Sequence, residues 1–130
     1  MARVLALVPD LLFGSRVQGD LSAAGHEVEL IGDERGLRER IADTATPRAA
    51  VLVVDLTDDS PARAGIVESL RRGGELGATR TLAFYSHVEG SVRERAERAG
   101  FDLVVPRSRM AREGAQLVTD LAGRSRATAE

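Results

Sequence analysis

Five short apolar runs, each followed by an amphipathic stretch, constrain this chain more than any other feature. The runs are "RVLALV" (3–8), "HEVELI" (26–31), "AAVLVVDL" (49–56), "TRTLAFYS" (79–86) and "FDLVVP" (101–106). Short apolar strands alternating with helices imply an α/β fold, with a parallel sheet covered by helices on both faces. Right-handed crossovers then connect the strands. The 130 residues fit one domain, expected over residues 1–123, with a frayed tail over 124–130.

The stretches between the strands carry helix signals. Phe13, Val17, Leu21 and Ala24 fall on one helical stripe, and Gly25 suits a terminator. Residues 33–43 are charged, with Leu37 and Ile41 as apolar anchors. Ser60 and Pro61 suit a helix cap and first position; Ile66, Val67 and Leu70 point inward, and Gly73-Gly74 ends the helix. In the fourth helix, ending at Gly100, the spacing offers Glu89–Arg93 and Glu94–Arg98 pairs. The last helix is expected to begin at Met110. "VLVVDL" is the most apolar run and belongs at the centre of the sheet, while the alternating "HEVELI" belongs near an edge.

Ligands of open α/β sheets bind outside the carboxyl ends of the strands. Polar residues gather at those ends here: Asp10 after strand 1, Asp55 and Thr57 to Asp59 after strand 3, Tyr85-Ser86-His87 after strand 4, and Arg107-Ser108 after strand 5. An aspartate closing a buried strand needs a compensating partner. One reading has Asp55 bonding loop amides. Another has it in a polar pocket facing Asp10 and Arg107. His87 reads as a loop histidine at the rim, and His26, opening strand 2 away from this edge, receives no role.

Composition narrows the chemistry. There is no cysteine, so disulfides, thiolate catalysis and cysteine-held metals are excluded. All 18 basic residues are arginine, which excludes any lysine mechanism within the chain. A net charge of −2 argues against a nucleic-acid surface. No apolar stretch is long enough for a membrane span, and the N-terminal run is broken by Pro9 and Asp10, unlike a signal peptide. The expected location is the cytoplasm. The chain also carries no GxGxxG, P-loop or zinc motif.

The order of elements, "VLVVDL", "AGHEV" and "ERAGFDLVVP" resemble segments of the receiver domain of bacterial response regulators, over about residues 3–123. Asp10, Asp55, Tyr85, Gly100 and Arg107 fall at intervals similar to those of the family's strand-1 acid, phosphoacceptor, strand-4 Ser/Thr, turn glycine and strand-5 lysine. The resemblance implies a CheY-like, flavodoxin-like (βα)5 sandwich with five parallel strands in the order 2-1-3-4-5. It implies two-component signalling, with Asp55 as phosphoacceptor and Mg²⁺ held by Asp10, Asp55 and the Thr57 carbonyl.

Three departures make this a degenerate, pseudo-receiver pattern. The family's acidic pair is reduced to Asp10, flanked by Pro9 and Leu11, although Asp58 or Asp59 offers a further carboxylate. A hard cation wants several oxygens, so any Mg²⁺ site is weak. Tyr85 fills the hydroxyl slot, where it is too bulky to swing inward and is expected as a half-buried aromatic; Ser86 stands one residue on. Arg107 replaces the lysine, keeping the charge but presenting a planar fork. A standing Arg107 ion pair with Asp55 or with Asp10 is the expected consequence.

Three functions follow. One is a receiver-like signalling domain, not an enzyme, that acts without phosphorylation through a protein partner or a second copy of itself. Another is a working single-domain regulator, phosphorylated on Asp55 by a histidine kinase within a phosphorelay. The third is a small-ligand or anion-binding flavodoxin-like module; "PDLLFGSR" is neither a Ser/Thr-rich flavin loop nor a histidine-bearing cobalamin motif.

Overall fold

A computed structural model describes residues 2–57, 60–86 and 90–129, excepting the side chains of residues 60, 90 and 125–129. The five apolar runs form β1 (Arg3–Leu7), β2 (Glu27–Ile31), β3 (Val51–Asp55), β4 (Arg80–Tyr85) and β5 (Leu103–Pro106). Between and after them lie α1 (Leu11–Ala23), α2 (Glu34–Ala42), α3 (Ser60–Arg72), α4 (Gly90–Ala99) and α5 (Arg107–Ala129). All strands are parallel, in the order β2-β1-β3-β4-β5. The fold is the CheY-like (βα)5 sandwich. β3 is central and entirely buried, and β2 is an edge strand with its first four residues partly open.

Strand parity divides the interior into two cores. Val4, Ala6, Val51, Val53, Leu82 and Phe84 meet α1 and α5 through Phe13, Val17, Leu21, Met110, Val118 and Leu121. Leu5, Leu7, Leu52, Val54, Ala83 and Tyr85 meet α2, α3 and α4 through Leu37, Val67, Leu70 and Ala96. Each helix lays one apolar stripe on a sheet that is apolar on both sides, which is why the inner strands read as continuous runs and only the edge strand β2 alternates.

Helix boundaries follow their caps. Asp10 caps α1 through the Leu12 and Phe13 amides, and Asp33 caps α2 through Gly36. Gly25 and Gly74, at φ +93° and +74°, supply the left-handed turns after α1 and α3. Ala24 is exposed at the C-cap rather than on the inward stripe, and Gly14 is buried in its stead. Residue 24 lies one past the last helical residue, Ala23, so the inward stripe ends at Leu21.

Two further expectations change. The ion pair on α4 is Arg93–Glu97 at 3.7 Å, not Glu94–Arg98; Glu89 lies outside the described residues. α5 starts at Arg107, three positions before Met110, and continues to Ala129 through the segment expected as a tail. The residues "RSR" add no apolar period, so the sequence pattern shows the helix only from its first buried residue, Met110.

Candidate functional site

Asp10, Asp55, Ser86 and Arg107 all stand at carboxyl ends of strands, as the order of elements requires. Asp55 is the last residue of β3 and is 1% exposed. It continues the parity of Val51 and Val53 and pairs in register with Phe84, so it belongs to the α1/α5 side of the sheet. Its Oδ1 accepts the Thr57 amide at 2.8 Å, a local turn that satisfies one lone pair of a costly buried carboxylate. Arg63, one turn into α3, donates to the Asp55 carbonyl at 2.5 Å and sets a guanidinium beside the strand end.

Arg107 pairs with Asp10. Its Nη2 lies 3.4 Å from Asp10 Oδ2, while Asp10 Oδ1 receives the Leu12 and Phe13 amides at 3.0 and 3.2 Å. The Phe13 amide bond is the main cause that holds the Asp10 carboxyl below its ordinary value. Desolvation opposes this, and the Leu12 amide and Arg107 add to it. The Arg107 guanidinium also lies 4.1 Å from the Phe13 ring centroid, and Phe13 packs on Phe84 at 5.1 Å. Helix electrostatics make this arrangement intelligible. A cation in the first turn of α5 faces the positive end of the helix dipole, so it gains from a carboxylate and an aromatic face nearby. Asp10 stands at the favourable end of α1.

Tyr85 differs from expectation. It is 4% exposed rather than half-buried, and it packs in the core shared with α2, α3 and α4, on the other face from Asp55. β4 lies between β3 and β5 with helices on both faces, so the first open position after it is Ser86, which is exposed. His87, Asp58 and Asp59 lie outside the described residues.

Among the described residues a Mg²⁺ ion would draw on Asp10, Asp55 and the Thr57 carbonyl, with water filling the remaining positions. No three acidic or histidine side chains among the described residues converge. Asp10 Oδ1 accepts the α1 cap amides, and Oδ2 pairs with Arg107. Leu11, at the position beside Asp10, is 83% exposed, and Leu12 is 87% exposed.

Phe13, Phe84 and Arg63 complete this rim, and the sequence had marked Phe13 only as core. Its role depends on α1 and α5 being neighbours, a contact between residues far apart in the chain.

No protein-family model and no curated protein sequence matches the chain. Solved structures do, among them response regulators and receiver domains. One, from Francisella, has a TM-score of 0.78 at 15% identity over 96% of this chain and 99% of its own. One from Clostridium thermocellum reaches 0.82 at 11% identity, over 98% and 99%. The chemotaxis response regulator CheY4 of Vibrio cholerae reaches 0.73 at 20% identity, over 91% and 98%. At these identities the likeness is one of fold. No helix among the described residues is long and apolar enough to cross a membrane.

Proposed function

We propose that this chain is a receiver-like signalling module of the cytoplasm that works through protein–protein contact, independently of phosphorylation at Asp55. Its partner is a histidine kinase, a downstream signalling protein or a second copy of the chain. The reading rests on one observation. Arg107, the cation at the family's lysine position, is engaged by Asp10 and by the Phe13 ring instead of by Asp55. A phosphoryl group on Asp55 would need that cation, a metal held by several oxygens and an open carboxylate. Asp55 is buried, and Asp10 is held by the α1 cap and by Arg107.

The test is direct. The purified chain is incubated with acetyl phosphate and Mg²⁺, and its intact mass is measured. An unchanged mass is the expected result. A phosphoryl adduct that disappears in Asp55→Asn would overturn the reading in favour of a working response regulator. That alternative draws support from the position of Asp55 at the end of the central strand, on the rim shared with Asp10 and Arg107.

A further inference from the structure

His26 lies at the opposite end of the sheet, where β1 begins, and is 8% exposed. Its surroundings fix its protonation. The Ala2 amide donates to Nδ1 at 3.2 Å, so that nitrogen must carry a lone pair. The Thr119 hydroxyl lies 2.8 Å from Nε2 and is itself 2.8 Å from the Ala115 carbonyl, to which it donates. Its one proton is therefore used, and Nε2–H is the donor towards it. The neutral Nε2–H tautomer satisfies every group in this chain of bonds, and no other form does.

The bonds join three elements distant in sequence. Ala2 leads into β1, and its carbonyl accepts the Glu27 amide at 2.8 Å, beginning the β1–β2 ladder. The His26 amide donates to the Leu21 carbonyl at the end of α1. Thr119 belongs to the second half of α5. His26 thus ties the sheet edge to α5 through its ring and to α1 through its backbone.

A proton on Nδ1 would face the Ala2 N–H, donor against donor, in a buried slot. Among the described residues no carboxylate pairs with the ring. The α5 partner, Thr119, is uncharged. Glu27 and the nearby acids Asp20 of α1 and Asp120 of α5 are exposed, Asp20 beside Arg16 and Asp120 accepting from Gln116. Burial is the main cause that holds the ring's pKa below the ordinary histidine value. Stability from the neutral ring is therefore complete above the unfolded-state value, about 6.5, and is lost as pH falls from there towards the folded value.

We propose that His26 is a proton-operated latch: neutral, it ties Ala2 at the start of β1 to Thr119 of α5; protonated, it leaves its slot and releases both. The role is independent of Asp55, and it gives α5 a second state below the ordinary histidine range.

Hydrogen exchange on the full chain, expressed as protection relative to intrinsic rates, tests this between pH 7.5 and 5. The expected result is a loss of protection at low pH confined to Ala2, Glu27 and the α5 amides around Thr119, in step with the His26 ring titration followed by NMR. Thr119→Val keeps the side-chain shape and cuts the α5 bond. It should show the low-protection α5 pattern already at pH 7.5, with no further step in α5. An unchanged α5 across the His26 titration, or an α5 step that persists in Thr119→Val, would overturn the latch.

Discussion

Phe13→Leu reports on whether Arg107 is held by the rim it touches. Phe13 is 6% exposed, so leucine keeps an apolar side chain in the slot. It removes two aromatic interactions. The tilted pair with Phe84, at 5.1 Å, contributes about 0.5–1.5 kcal/mol beyond burial. The Arg107 contact at 4.1 Å, with a guanidinium 35% exposed, contributes about 0.5–1 kcal/mol. The single variant should lose about 1–2.5 kcal/mol in urea unfolding, with an unchanged m-value. The sharper quantity is the coupling. Phe13→Leu, Arg107→Gln and the double variant form a cycle in which the Phe84 contact cancels. A coupling of about 0.5–1 kcal/mol is expected from the cation on the ring. Strict additivity would refute the argument that Phe13 holds Arg107, and with it one of the two contacts that withdraw this cation from Asp55.

Other predictions follow from the same contacts. Asp10 should titrate below ordinary aspartates by NMR, and its stabilising effect should be lost as pH falls through that lowered value. In Arg107→Gln it should rise only part of the way, because the Phe13 amide is the larger cause; a full return to the ordinary value would contradict the cap. Gly100→Ala should destabilise the chain by about 1–2 kcal/mol or more in urea melts, because a left-handed backbone conformation strains alanine. Its φ is +95°, and a Cβ would come 2.9 Å from Arg71 Cδ. Asp102→Ala should cost about 2–3 kcal/mol, well above the few tenths expected for the exposed Arg35–Glu39 pair. Asp102 takes the Thr81 amide at 2.8 Å and pairs with Arg71 and Arg80 at 3.4 Å. Equal costs for the two sites in urea melts would contradict this.

The sheet was legible because the inner strands, β3 above all, are apolar on both faces, and a parallel sheet between two helix layers buries such runs. Asp55 was legible for the same reason, as a carboxylate ending a buried run. Its neighbours were harder to read. Tyr85 was expected half-buried at the rim, yet an interior strand flanked by helices stays buried to its last residue. Arg107 had two candidate partners, and nothing local chose between them. The choice of Asp10 depends on the docking of α1 beside α5, which brings residues 97 positions apart together. His26 showed no pattern at all, since its bonds run to Ala2 and to Thr119, 93 positions away. Periodicity reports which face is buried; it does not report which polar groups meet across elements.

The central claim is that Arg107 belongs to Asp10 and Phe13 and does not serve a phosphoryl group on Asp55. A crystal structure grown with Mg²⁺ and beryllofluoride tests it most directly. The expected result is an unmodified Asp55, with Arg107 still against Asp10 and over the Phe13 ring. Beryllofluoride bound to Asp55, with Arg107 turned onto it, would contradict the account.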